Sequence, residues 1–356
     1  MDKSTVYFTD MHTNSDENLP QKLARLITTA GIGEIDFKNK FAAIKIHFGE
    51  PGNLAFLRPN YAKVVADAVR TRGGVPFLTD CNTLYVGRRK NAPDHLDAAY
   101  ENGFSPFSTG CHVIIADGLK GTDEAHVPVD GTYVKDAKIG RAIMDADIVI
   151  SLNHFKGHEN TGFGGALKNI GMGAGSRAGK MEMHSAGKPF VNADVCIACG
   201  ECLKNCAHGA ITIGASANIN HDKCVGCGRC LGVCPTNAVN PASDESNDIL
   251  NCKIAEYTKA VLAGRPSFHV SLVVDVSPFC DCHCENDVAI VPDIGMFASF
   301  DPVALDVACA DAVNAVPFDG NGDHFTHVHP TTNWRHGMEY AAKIGLGSLE
   351  YELVKI

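Results

Sequence analysis

Eight cysteines in two short runs carry the clearest chemistry in this chain. Cys196 to Cys206 reads CIACGECLKNC, and Cys224 to Pro235 reads CVGCGRCLGVCP. Each run steps C-x-x-C-x-x-C-x-x-x-C, and the second closes on Pro235. Iron is soft enough to prefer thiolate, and cysteines at every third position of a tight turn let three sulfurs converge on one cuboidal cluster. The fourth cysteine of each run lies too far along to join its own trio. Zinc normally takes two C-x-x-C pairs across a longer spacer, rather than three evenly stepped cysteines and a fourth. The spacing therefore predicts iron–sulfur clusters, and electron transfer is the minimum function.

The double run resembles the bacterial two-cluster ferredoxins, in which the fourth cysteine of each run ligates the other run's cluster. That resemblance implies one 4Fe-4S cluster on Cys196, Cys199, Cys202 and Cys234, and a second on Cys224, Cys227, Cys230 and Cys206. The first run departs from the pattern at its end, where Ala207 stands in place of the usual proline.

A second stretch, His154 to His184, reads HFKGHENTGFGGALKNIGMGAGSRAGKMEMH. Its glycines let a backbone approach a ligand closely, Gly164 and Gly165 beside Lys168 above all. Nucleotide motifs fit it poorly. Gly179-Lys180 is followed by Met181, and Gly173 lies one residue too far upstream for a phosphate-binding P-loop. Gly173 to Ala178 matches the loose G-x-G-x-x-A form, but no strand immediately precedes it. Three groups punctuate this loop: His158, Lys168 and His184. Lys168 could hold an anion as a point charge, or form an imine if burial depresses its pKa. The two histidines suit metal binding or proton transfer. The plainer alternative is that all three satisfy carbonyls of an irregular loop. Three titratable groups on one glycine-rich loop favour a site, with catalytic roles for His158, Lys168 and His184.

Other candidates are weaker. Pro278 to Cys284 reads PFCDCHC after an apolar strand, at the end where α/β proteins bind ligands. Cys280 and Cys282 could bind a metal or act in redox chemistry, or form a buried thiol pair. Asp319 to Asp323 is not a calcium loop, because its sixth position is His324 rather than glycine and its twelfth Pro330 rather than glutamate. His324, His327 and His329 could bind a metal or be polar surface. Asp301 should cap a helix, with Asp306 on its face. Cys81, Cys111, Cys252 and Cys309 read as buried small apolar residues.

The elements that position these groups form an α/β pattern. Strands are expected at Val6 to Thr9, Ala42 to His47, Val75 to Leu78, Val113 to Ala116, Ile148 to Leu152 and Phe268 to Val276. Helical spacing marks Leu19 to Ala30, Tyr61 to Thr71, Asp94 to Asn102, Ile139 to Asp145, Ile249 to Leu262, Asp301 to Val313 and Trp334 to Ile344. Strand–helix alternation predicts a mostly parallel sheet covered by helices on both faces. The pattern resumes beyond the cysteine-rich segment. The expected organisation is thus an α/β body in two parts, 1–187 and 244–356, with a two-cluster ferredoxin-like domain inserted at 188–243.

The chain has 356 residues, 45% hydrophobic and 20% charged, with a formal net charge of −10. This is the composition of a globular protein with a sizeable core. The negative balance argues against nucleic acid and anionic membrane as partners. The N-terminal residues contain no apolar run of signal-peptide length, and no later stretch approaches a membrane span. Fifteen cysteines, mostly in cluster spacing, fit a reducing compartment, so a cytoplasmic location is expected.

Nearly the full length resembles the iron–sulfur proteins of the domain of unknown function 362, an α/β body with an inserted ferredoxin module. The resemblance rests on KIHFGEPGN (Lys45 to Asn53), TDCNTLYVGRR (Thr79 to Arg89), SLNHFKGH (Ser151 to His158), TGFGGALKNIGMG (Thr161 to Gly173), VPDIGMFASFDPVALD (Val291 to Asp306) and KIGLGSLEYEL (Lys343 to Leu353). It implies that Cys280, Asp281 and Cys282 form the family's Cys-Asp-Cys motif. More distantly, the spacing of His158, Lys168 and His184 is similar to that of the nickel-pincer lactate racemases. There a lysine anchors a pyridinium-derived nickel cofactor, one histidine binds the metal and histidines shuttle a proton. Arg58-Pro59 is similar to the Arg-Pro motif by which those enzymes hold the cofactor phosphate. Their Gly-x-His-Arg catalytic motif is missing, since Asn82 to Arg89 contains no histidine.

The leading expectation is an iron–sulfur redox protein that passes electrons through two 4Fe-4S clusters to or from a small anionic molecule. That molecule, or an additional organic or metal cofactor, would sit in the glycine-rich pocket. One alternative is a racemase or epimerase with a lysine-anchored nickel-type cofactor. The other is an electron carrier or scaffold for a partner oxidoreductase.

Overall fold

The computed structural model describes residues 3–84, 87–184, 188–241, 246–320 and 322–356. Eight strands form its central sheet: β1 (Ser4–Asp10), β2 (Phe41–Lys45), β3 (Val75–Asp80), β4 (Val113–Ile115), β5 (Ile148–His154), β6 (Ser267–Val273), β7 (Gly295–Ser299) and β8 (Tyr351–Lys355). Their order across the sheet is β8-β1-β7-β6-β5-β2-β3-β4. Every neighbouring pair is parallel except those involving β7, which runs antiparallel to β1 and β6. The expected mostly parallel sheet between helical layers is what forms.

β5 explains the two layers. All seven of its residues are buried, as a strand covered on both faces requires. Ile148, Ile150 and Leu152 pack on one side with Leu23 and Leu26 of helix α1 (Leu19–Thr29) and Val65 and Val69 of helix α2 (Pro59–Arg70). Val149 points the other way, into a cluster with Ile170 and with Tyr257 and Val261 of helix α6 (Asn247–Leu262). Both helices place an apolar stripe on the sheet and carry proline in the first turn, where no amide hydrogen bond is lost. Asn18 closes α1 with a capping box to Gln21.

Two expectations need correction. The segment Ile139 to Asp145 is not one helix. Strand Asp136–Gly140 pairs antiparallel with Glu124–Pro128, and helix α3 follows only at Arg141–Asp145. Cross-strand pairing overrides helical spacing there, and a Cβ on Gly140 would come within 2.5 Å of Cys81 Sγ. The glycine-rich stretch is not an irregular loop either. Lys156–His158 pairs with Gly162–Gly164 as a tight hairpin, followed by helices α4 (Ala166–Ala174) and α5 (Arg177–His184).

The cysteine-rich stretch lies between two strands that pair with each other, Pro189–Val191 and Val239–Pro241. A second hairpin joins Ile211–Ile213 to Ala217–Ile219. Two single-turn helices, Glu201–Lys204 and Arg229–Gly232, follow Gly200 and Gly228, which adopt φ of 77° and 67°. This part meets the body through an apolar seam in which Leu84 and Met181 pack with Cys202, Ile211 and Leu231.

Candidate functional site

The sheet dictates where a site can form. β2, β3 and β5 end side by side, and their carboxyl ends deliver Lys45 and His47, Asp80 and Cys81, and Leu152 and His154 to one cleft. The hairpin adds Lys156 and His158, and α4 and α5 add Lys168, Lys180 and His184. Cys280 and Cys282 join the lining from the connection between β6 and β7. Because β7 returns antiparallel, that connection must stay at the carboxyl edge of the sheet. His158, Lys168, His184, Gly164, Gly165, Cys280 and Cys282 therefore share one cleft.

Lys168 is held by a cap from a distant helix. α4 begins after Gly165, and its first amides, those of Ala166 and Leu167, donate to the Asp306 carboxylate at 2.6 and 2.9 Å. Asp306 lies on helix α7 (Pro302–Asn314), so the expected helix-face residue caps another helix, while Asp301 caps its own. A Cβ on Gly165 would stand 2.2 Å from Asp306 Oδ1, so the close approach needs glycine. Burial pushes Asp306 up to about 7, against its two backbone bonds.

Lys168 Nζ reaches Cys280 Sγ at 3.1 Å. The Cys282 thiol shares the same sulfur and, with Lys168 and His158, outweighs burial to hold Cys280 well below the ordinary thiol value. The same contact raises Cys282. Burial alone would lower Lys168, but the sulfurs of Cys280 and Cys282 keep it above the ordinary lysine value. Lys168 is thus a charged ammonium and not a ready imine former. Burial, then Lys168, lowers His158. Its Nδ1 accepts from the amides of Asn160 and Thr161 at 3.1 and 3.3 Å, which leaves the Nε2 proton for the cleft side. Burial, then His158 and Lys168, takes His184 to about 3.

Buried ion pairs brace both walls. Asp281 lies between the two cysteines, bonded to His154 Nδ1 at 2.9 Å and Lys156 Nζ at 3.1 Å. Lys45 Nζ meets Asp80 Oδ1 at 2.9 Å and donates to Asn169 Oδ1 at 2.8 Å. Arg89 pairs with Glu50 at 2.8 Å. Burial opposes ionisation of Asp80, yet Lys45, His47 and His95 hold it well below the carboxylate range. Lys180 is spent on carbonyl oxygens of Gly173 and Gly175. The resulting cleft is rich in cations whose carboxylates are already engaged, which suits a small anion.

The cysteine quartets are also brought together. One cavity is lined by Cys196, Cys199, Cys202 and Cys234, and another by Cys206, Cys224, Cys227 and Cys230. Backbone amides point at four of these sulfurs: Ala217 at Cys196, Ala210 at Cys206, Gly226 at Cys224 and Ala238 at Cys234, at 3.2 to 3.5 Å. Four thiols around each cavity, with amides aimed at sulfur, are the donor set a 4Fe-4S cluster needs. Helix α5 connects the regions. Arg177 at its start lies against Gly228 and Gly232 of the second run, Met181 packs in the seam with Leu84, and His184 at its end lines the cleft.

Other expected residues stand apart. Arg58 is exposed at the start of α2, while its neighbour Leu57 lines the cleft. His324 Nε2 bonds to Val316 O and His329 Nε2 to Pro278 O, so these histidines serve separate carbonyls. Cys81, Cys111, Cys252 and Cys309 are buried, and Cys81 also lines the cleft. Lys45, Asp80, Arg89, Lys156 and Lys180 were not expected at the site. For Lys45 and Asp80 the signal is a charged residue ending an apolar strand, as in Ala42-Ala43-Ile44-Lys45.

Residues 42–311 match the family described as "Domain of unknown function (DUF362)", and the chain belongs to that family. No curated protein matches it. Among solved structures, the lactate racemase apoprotein from Thermoanaerobacterium thermosaccharolyticum aligns at 12% identity with a TM-score of 0.45, covering 87% of this chain and 57% of that one. A crystal structure of a Thermotoga maritima protein aligns at 14% identity with a TM-score of 0.45, covering 86% and 60%. The chain thus spans less than two thirds of either structure's length. No helix among the described residues is long and apolar enough to cross a membrane.

Proposed function

We propose that this protein is an iron–sulfur oxidoreductase, in which residues 188–243, the last two of them outside the described residues, form an inserted two-cluster domain and the cleft of the α/β body binds a small anionic molecule. The reading is carried by the two cysteine-lined cavities, each completed by the fourth cysteine of the other run. Cys196, Cys199, Cys202 and Cys234 would hold one 4Fe-4S cluster and Cys206, Cys224, Cys227 and Cys230 the other, supplying one-electron transfer when bound. The protein's own groups do the rest. Lys168, fixed by Asp306 through α4, offers the charge that positions an anion. His158 presents a proton-bearing nitrogen, and the buried pairs Asp281–His154 and Asp80–Lys45 keep the walls rigid. α5, eight residues and roughly 12 Å of helix, bridges the two regions, its Arg177 packed against the second run and its His184 lining the cleft. A reducing cytoplasm and a partner that exchanges electrons with the clusters fit this reading.

Anaerobic redox titration of the purified protein, with and without candidate anionic metabolites, tests it. The expected result is a cluster spectrum that shifts or bleaches with one class of anion. A cluster signal indifferent to every anion would overturn it. A carrier that serves only a partner oxidoreductase would instead keep full electron transfer after Lys168→Ala and His184→Ala.

A second reading is a racemase or epimerase with a cofactor anchored on Lys168. It is favoured by one observation, that His158, Lys168 and His184 line a single cleft. Nickel in the purified protein with a mass increment on the Lys168 peptide would select it.

A further inference from the structure

We propose that Glu159, Cys282 and His283 form a binding site for one divalent first-row transition-metal ion, separate from the cysteine quartets. One ligand atom from each residue lies within 4.8 Å of the other two. Ligands of a tetrahedral ion with bonds of ~2.0 to 2.3 Å stand roughly 3.3 to 3.8 Å apart, so a small contraction completes the set.

A second observation points the same way. Glu159 Oε1 is bonded to His283 Nε2 at 2.8 Å, whereas its Oε2 is buried and has no hydrogen-bond partner among the described residues. His158 Nδ1 stands 3.9 Å from this oxygen and already accepts two backbone amides. A buried carboxylate oxygen left unmatched is destabilising, and a cation is the partner that removes the cost.

The ligands come from rigid neighbours. Glu159 sits in the turn of the hairpin Lys156–His158/Gly162–Gly164. Cys282 and His283 follow Asp281, which His154 and Lys156 lock in place, and the His283 amide donates to Cys280 O at 3.0 Å. One thiolate, one imidazole and one carboxylate make a borderline donor set for Zn2+, Fe2+ or Ni2+, and the thiolate disfavours Mg2+ and Ca2+. Three protein ligands leave a coordination position open, as catalytic sites do. Cys282 also lines the cleft that contains Lys168, so the ion would polarise an anion bound there. That role rests on the proposed anion cleft, and the metal site itself does not.

Zn2+ is the probe. The full chain, purified anaerobically with its clusters and freed of loose metal by a chelator, is dialysed against Zn2+ and analysed for zinc and iron. About one zinc should be retained per chain, with a zinc-edge absorption spectrum showing a single sulfur among nitrogen and oxygen neighbours. Glu159→Gln and His283→Gln should each lose that zinc with iron and circular dichroism unchanged, and Lys168→Ala should keep it. Where one variant fails to fold, the other decides. Zinc retained equally by both variants, no zinc in the parent, or an all-sulfur shell from ions in the cysteine quartets would overturn the assignment. Loss of anion response with the zinc intact would instead count against the proposed function alone.

Discussion

Lys168 Nζ stands 3.1 Å from Cys280 Sγ, a direct contact in the cleft between residues 112 positions apart. The ammonium and the sulfur stabilise each other's charge, so the cleft keeps a fixed cation at neutral pH. Lys168→Ala should weaken binding of a small anion by roughly 10- to 100-fold, the worth of a hydrogen bond to a charged group at about 1.5–3 kcal/mol. Lys168→Arg should retain part of it, since the charge survives but the donor geometry changes. Calorimetric titration with the anion that shifts the cluster spectrum measures both. Equal affinity in the alanine variant would remove Lys168 from the binding site.

The exchange of fourth cysteines between runs makes a second prediction. Cys206 lines the cavity of Cys224, Cys227 and Cys230, not that of its own trio. If the quartets hold the proposed 4Fe-4S clusters, Cys206→Ser should disturb the one held by the second run's trio, and Cys234→Ser the one held by the first. Iron content falling by about half, with a different electron paramagnetic resonance signal surviving in each variant, is the expected result. Loss of the same signal in both would refute the assignment.

How much of this was legible in the sequence depends on how far apart the partners lie. The β5 run IVISL and the amphipathic α1 and α2 could be read locally, because apolar periodicity reports burial directly. The hairpin of Glu124–Pro128 with Asp136–Gly140 could not, since Ile139 to Asp145 shows helical spacing and only pairing decides it. Lys168, His158 and His184 stood out through type and spacing. Their neighbours Lys45, Asp80 and Lys156 did not, because each becomes a site residue only where parallel strands end together. Asp306 is the sharpest case: its partner amide at Ala166 lies 140 positions away, so no local pattern reveals its task.

That cap gives a pH prediction. Asp306 rises to about 7 in the folded protein from an ordinary value near 3.8, so between these the native state holds a proton that the unfolded chain has released. Its contribution to stability is fully present below the unfolded value and is lost as pH climbs through about 7. Asp306→Asn should flatten this part of the stability profile. Asp306→Ala strands the Ala166 and Leu167 amides and should cost about 1–3 kcal/mol at any pH. Urea unfolding between pH 5 and pH 8 checks both; an unchanged slope in the asparagine variant would assign the dependence elsewhere.

Arg177 joins the cysteine-rich segment to the rest of the chain. A Cβ placed on Gly232 would fall 1.5 Å from Arg177 Nη1, and one on Gly228 2.7 Å from Arg177 Cγ, where φ is also +67°. Arg177 is buried, bonded to the Lys90 carbonyl and enclosed by the second run, so it has little room to retreat. Gly232→Ala should therefore push the module away from α5 and destabilise the protein by about 1–3 kcal/mol, the usual cost of overpacking. If electrons reach the cleft along α5, the same substitution should slow cluster reoxidation by the bound anion while leaving iron content intact. Stopped-flow reoxidation of the reduced protein, set beside iron analysis, separates the two effects. A destabilised variant with parental reoxidation kinetics would show that the Arg177 contact holds the module without conducting through it.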